Sequence, residues 1–191
     1  MKQYYPSNNN PVRIWDGRDV VGIDRTVHSM QMIDVEHHEI HEGEAYHASH
    51  LFEDVADDGG VFFRLKPNTE NCEYHLALAT AVGGSSRAYL YRNPTLTNSG
   101  TVVGPRNRNE WYDSDTGTLS VRHTPTITAN GTRYKSTVIP GGSKNFASGG
   151  AAIGRLEWIL RYPYDYLIRV VNVSGGVVDV SIELEWYEEP R

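Results

Sequence analysis

From Val178 to Trp186 the chain alternates without a slip, Val178, Val180, Ile182, Leu184 and Trp186 against Asp179, Ser181, Glu183 and Glu185. A period of two with one apolar set specifies a β-strand that is dry on one side and wet on the other. Upstream, Leu156, Trp158 and Leu160 alternate with Arg155, Glu157 and Arg161, and Tyr166 to Val171 form an apolar run closed by Asn172-Val173-Ser174-Gly175-Gly176. These predict two more strands, joined to the last by tight glycine-containing turns. A strand with a single apolar face must bury it against a second layer, so the preceding segments are expected to supply another sheet instead of helices on both sides.

Those segments carry β-type patterning. Gly43 is expected to bend the chain between a short strand ending near Ile40 and another starting near Ala45. Gly60 to Lys66 reads as a strand stopped by Pro67-Asn68. Tyr74 to Val82 and Ala88 to Tyr91 are separated by Gly83-Gly84-Ser85-Ser86, which makes them a hairpin or a connection crossing between sheets. Leu119 to His123, Thr126 to Thr128 and Thr132 to Ile139 are strand-like, the last two linked by Ala129-Asn130-Gly131, a hairpin turn sequence. Asn93 to Ser114 and Pro140 to Gly150 are turn-rich loops. The total is roughly nine to eleven short strands at sandwich-like spacing. No window of ten or more residues shows a 3.6 period. The expected fold is all-β, a single antiparallel β-sandwich, jelly-roll-like, over residues 33–191, with residues 1–32 as an extended N-terminal arm.

At 191 residues the chain is long enough for one well-buried core. The net charge of -6, and the lack of any Lys/Arg run interleaved with aromatics, argue against a nucleic-acid partner. No apolar run approaches the roughly 18 residues of a membrane span, and Met1 to Pro6 has no apolar signal core, so a membrane partner is not expected and the protein is expected to be made and used without export. Cys72 is the only cysteine, so no intrachain disulfide forms. Asn130-Gly131-Thr132 and Asn172-Val173-Ser174 match a glycosylation pattern but are read as turns.

Site chemistry is sparse. Histidines 28, 37, 38, 41, 47 and 50 invite a metal hypothesis, but strand geometry sends His38 away from His37 and His41, and convergent further ligands are missing. Asp113-Ser114-Asp115-Thr116-Gly117 starts like a calcium loop, yet its glycine falls fifth and Thr124 stands at the twelfth position, so it is read as an Asp/Gly turn. Glu183 with Glu185 lies on the wet face of a strand, and Glu188 with Glu189 has no aromatic cleft to mark it as a glycosidase pair. No nucleophile elbow, Walker loop or dinucleotide fingerprint is present. Neither an enzyme, a metal nor a cofactor is expected. The candidates that stand out are contact residues, the aromatics Tyr4, Tyr5 and Trp15 of the arm and the cluster Arg106, Arg108, Trp111 and Tyr112 in the long loop, because aromatics and arginine are enriched where proteins meet.

Glu39-Ile40-His41-Glu42-Gly43 with Tyr46, Asn107-Arg108-Asn109, Pro125-Thr126-Ile127 with Gly131-Thr132, Glu157-Trp158-Ile159-Leu160 with Tyr166-Leu167-Ile168-Arg169, and Glu185-Trp186-Tyr187-Glu188 occur in an order that resembles the head-decoration, or capsid-cement, proteins of tailed bacteriophages. The resemblance covers about Glu36 to Glu188; the arm has no counterpart in it. It implies a β-sandwich that binds the major capsid protein on the outer surface of the virion, often as a homotrimer, after synthesis in the host bacterial cytoplasm. It carries no catalytic residues. The competing expectation is a receptor- or glycan-binding module of a phage fibre or spike, with Trp111 and Tyr112 stacking on a sugar ring.

Overall fold

The computed structural model describes residues 14–15, 20–21, 35–140 and 158–191. The chain divides into two units, Met1–His38 and Glu39–Arg191. In the first, β1 (Ile14–Trp15) pairs antiparallel with β2 (Val20–Val21). Tyr4 and Tyr5 lie outside the described residues, and Trp15 stands in β1, opposite Val20.

Val35–Glu42 forms a helix, α1, and this overturns the expected strand ending near Ile40. The reason is local. Gly43 adopts φ +81 and serves as the left-handed residue that ends a helix, with its N–H donating to the Ile40 carbonyl at 3.2 Å and the Glu44 N–H reaching the Glu39 carbonyl at 2.9 Å. A glycine between two polar runs signals a bend in a strand and a helix stop equally well.

The chain then runs through β3 (Ala45–Val55), β4 (Gly60–Lys66), β5 (Cys72–Val82), β6 (Ser86–Arg92), β7 (Thr95–Asn98), β8 (Thr101–Val102), β9 (Arg106–Asn107), β10 (Ser120–His123), β11 (Thr126–Ala129), β12 (Thr132–Ile139), β13 (Trp158–Leu160), β14 (Tyr166–Asn172) and β15 (Val178–Pro190). One layer has six strands in the order β12-β6-β14-β4-β10-β8, and the other five in the order β13-β5-β15-β3-β9; β11 and β7 form a separate ribbon. All the pairings are antiparallel. The fold is an all-β sandwich, as the alternation of the last strand requires.

Its core is built from the alternate residues of both layers. Phe63, Leu65, Leu90, Val121, Ile168 and Val170 of one meet Tyr46, Ala48, Leu76, Ile182, Leu184 and Trp186 of the other, all 4% exposed or less. Burying a large apolar side chain of this kind stabilises the fold by about 1.5–3 kcal/mol each, before the entropy of ordering is counted.

The connections differ from expectation. β13, β14 and β15 are joined by short connections, residues 161–165 and the glycine-containing 173–177, but these cross between the layers, because β14 belongs to the six-stranded layer and the other two to the five-stranded one. The turn Ala129-Asn130-Gly131 likewise closes no hairpin: β11 pairs β7, while β12 pairs β6. At Gly131, with φ +85, a Cβ would meet the Arg92 carbonyl oxygen at 2.3 Å, so the chain passes too close to β6 for any other residue. Of the two readings of Gly83 to Ser86, the crossing is the observed one. β5 and β6 lie in different layers.

Asn172 ends β14 fully buried, its Nδ2 donating to the carbonyls of Val55 at 2.9 Å and Gly176 at 2.7 Å, and its Oδ1 accepting from the Ser174 N–H at 3.0 Å. The Asn172-Val173-Ser174 triplet is thus a turn whose amide is occupied by the fold.

Candidate interaction surface

The long loop from Gly104 to Thr118 is fastened to the five-stranded layer at both ends. At its start, Asn107 is buried and donates through Nδ2 to the Gly43 carbonyl at 2.6 Å, while the Arg108 N–H donates to the Ala45 carbonyl at 2.8 Å. Asn109 then caps a single 3-10 turn, Glu110–Tyr112, its Oδ1 accepting from the Trp111 N–H at 3.1 Å and its Nδ2 donating to the His41 carbonyl at 3.2 Å. The Asn107-Arg108-Asn109 triplet therefore ties the loop to the helix terminus that precedes β3.

At the other end the anchor is Glu188, which is 4% exposed. Its carboxylate accepts from the Thr118 N–H at 2.9 Å, the Leu119 N–H at 3.0 Å, the Thr118 hydroxyl at 2.7 Å and the Trp186 Nε1–H at 3.0 Å. Because the Thr118 hydroxyl spends its proton on Glu188, the Tyr74 hydroxyl donates to Thr118 Oγ1, at 2.6 Å. The Cys72 thiol adds a longer contact to Glu188 Oε2 at 3.9 Å. Hydrogen bonds to a buried carboxylate are the strong ones, about 1.5–3 kcal/mol each, and these donors satisfy it without a cationic partner.

Burial and the charges of Glu188 and Glu44 push the Cys72 thiol up to about 12. Burial, and then the charges of Asp115 and Glu188, raise the Tyr46 phenol above its ordinary range. Its hydroxyl donates to Asp115 Oδ2 at 3.2 Å, and Asp115 Oδ1 accepts from the Gly117 N–H at 2.9 Å. Asp113 to Gly117 is accordingly an Asp/Gly turn.

Between these anchors the loop holds Trp111 94% exposed and Tyr112 46% exposed. Tyr112 lies over Gly43, where an added Cβ would stand 2.7 Å from the ring, so glycine at 43 both ends the helix and seats the aromatic. Arg106 is exposed on β9 and pairs in register with His47, and Arg108 is half-buried with its Nη1 3.8 Å from Glu185. The structure thus brings Arg106, Arg108, Trp111 and Tyr112 together on one braced loop.

The histidines are dispersed. His37, His38 and His41 lie in α1, His47 is exposed on β3, and His28 falls outside the described residues. Among the described residues no group of three or more His, Cys, Asp or Glu side chains is placed to hold a metal ion. His50 of β3 instead stacks on His123 of β10, centroids 3.9 Å apart and 22° between planes, with Phe52 edge-on to His50 at 4.7 Å. This pair joins the two layers. Burial and the adjacent His50 lower the pKa of His123 below its ordinary 6.5.

Glu188 is the residue that sequence reasoning missed, since it stands out there only as half of a carboxylate pair with Glu189 that lacks an aromatic cleft. The signal was its parity, for 188 falls in phase with the inward series 180, 182, 184 and 186.

No protein-family model matches the chain, and no curated protein matches it either.

Proposed function

We propose that this chain is a structural virion protein that binds the outer surface of an assembled phage capsid and stabilises it, with the major capsid protein as its partner and a homotrimer as its working form. The observation that carries the reading is the mounting of Trp111. A large aromatic almost wholly in water, on a loop braced by Asn107, Asn109 and Glu188, loses little conformational entropy when a partner covers it. The order of strands supports a jelly-roll-like description of the sandwich, with β3, β15, β5 and β13 adjacent in one layer and β4, β14, β6 and β12 adjacent in the other. A multivalent cement needs only modest patches, because once one subunit has bound, the remaining contacts form at high effective concentration.

The test is to mix the purified chain with undecorated heads. Saturable binding and a raised temperature of head disruption support the reading. Absence of both overturns it, and binding on a glycan array without head binding would establish instead the sugar-binding role that the Trp111–Tyr112 pair also suits.

A further inference from the structure

The two broad faces of the sandwich carry opposite charge. In the six-stranded layer the residues alternating with the core set Val61, Phe63, Leu65, Ala88, Leu90, Ile168 and Val170 point outward. They include Arg64, Lys66, Arg87, Arg122, Arg133 and Arg169, and the register lines them up: Arg122, Arg64, Leu167, Tyr91 and Arg133 form one row across five strands, and Phe62, Arg169 and Tyr89 the next. Among the described residues the acid paired with these six cations is Asp165, which takes Arg64 at 2.7 Å. Arg169 lies over the Phe62 ring at 5.6 Å with its Nε buried and without a partner, and Arg87 and Arg133 are exposed.

The outward residues of the five-stranded layer are the reverse. Glu53, Glu73, Asp179, Glu183, Glu185 and Glu189 lie there, with Arg106, Arg108 and Arg191 gathered toward one end beside Glu185 and Glu73. A chain of net charge -6 has therefore sorted its charges so that one sheet face is basic and aromatic and the other acidic.

We infer that the basic face of one copy docks on the acidic face of a second copy of this chain. Both faces belong to the same unit, Glu39–Arg191, so every molecule carries both halves of the contact. The four long strands β12, β6, β14 and β4, with the shorter β10 and β8 beside them, span a face on the order of 500 Å² before side-chain relief, of which Leu167 and Tyr91 are covered, at 0% and 8% exposed. That is below the ~800 Å² per partner of a standard interface and suits a weak, salt-sensitive contact. Val138 at the edge of the basic face and Leu51 on the acidic one, 68% and 53% exposed, give the contact apolar surface as well as charge. Such a contact is heterologous, and because the two faces lie on opposite sides of the sandwich, repeating it builds an open stack. Like charges on one face disfavour basic-to-basic pairing, which sets the polarity of the stack.

The test uses the full chain alone in sedimentation velocity, so its result does not depend on the capsid reading. At about 50 mM salt the wild type associates, and at about 1 M the association weakens at least about tenfold as the charges are screened. The double variants Arg87→Glu/Arg133→Glu and Glu53→Lys/Glu183→Lys alter exposed side chains and keep the wild-type circular dichroism. Each alone self-associates about tenfold more weakly because one of its faces is close to neutral, and an equimolar mixture of the two regains association, because the first keeps its acidic face and the second its basic one. A wild type that is monomeric at low salt, double variants that assemble as the wild type does, or a mixture that stays dissociated would each overturn the inference. So would a monomeric wild type whose retention on a single-stranded polynucleotide is lost in Arg87→Glu/Arg133→Glu, which would make the basic face a site for a polyanion.

Discussion

Both carboxylate oxygens of Glu188 lie 2.9 Å from the backbone N–H of Thr118, seventy residues earlier in the chain. This single side chain closes the long loop onto the central strand of the five-stranded layer and holds the far end of the segment that displays Trp111. Glu188→Ala leaves the buried donors of Thr118, Leu119 and Trp186 without an acceptor, at about 1–3 kcal/mol for each unsatisfied group before relaxation. The expected loss is about 3 kcal/mol in urea unfolding, with faster amide exchange at Thr118 and Leu119. Glu188→Gln, which turns a donor toward donors, is expected to fall between the two.

Trp111→Ala separates adhesion from folding. The side chain is 94% exposed, so the unfolding midpoint should change by no more than about 0.5 kcal/mol. Affinity for undecorated heads, measured by pelleting, should fall at least about tenfold, as expected when an interface anchor is truncated. Equal loss of stability and binding would mean that Trp111 supports the fold.

The His50–His123 stack gives stability a sign in mild acid. His123 has its folded pKa below the ordinary 6.5, so the unfolded chain takes up the proton first. Its contribution is present above pH 6.5 and is lost as the pH falls through that value toward the folded pKa. The urea midpoint should drop between about pH 7 and about pH 5, and His123→Phe, which keeps a ring on His50, should flatten that part of the profile.

Cys72 points the opposite way on the pH scale. With the thiol raised from 9.0 to about 12, the folded chain holds the proton that the unfolded chain loses. The stabilisation is complete below pH 9 and is lost as the pH rises from there toward 12. At about pH 8 the thiolate fraction is about a thousandfold below that of an ordinary thiol, so alkylation by iodoacetamide should be correspondingly slow in the native state and fast in urea.

The strands were legible wherever one face is dry. The alternation from Val178 to Trp186 and the run from Tyr166 to Val171 correspond to β15 and β14 because burial imposes period two. Which strand pairs with which was not, since a turn sequence such as Ala129-Asn130-Gly131 fixes a reversal in the chain and leaves the layer open. The helix at Val35 to Glu42 was hidden because its residues carry no apolar stripe and its stop signal is also a bend signal. The braced loop was visible as a cluster of Arg106, Arg108, Trp111 and Tyr112, but its rear anchor was not, because a carboxylate is ordinarily solvated and only the inward parity of position 188 marks this one as buried. The basic face escaped for a different reason. Its cations stand singly in five strands, and only pairing brings Arg122, Arg64 and Arg133 into one row.

β15 lies between β5 and β3, yet among the described strands of this sandwich it is synthesised last. Until it emerges, β3 and β5 have no partner between them, and their apolar sides face only a half-built layer. Nucleation must therefore wait for contacts spanning well over a hundred residues, as between Tyr46 and Trp186, and high contact order of this kind slows folding. Nascent chains stalled before Val178 are expected to be held by chaperones or lost to proteolysis.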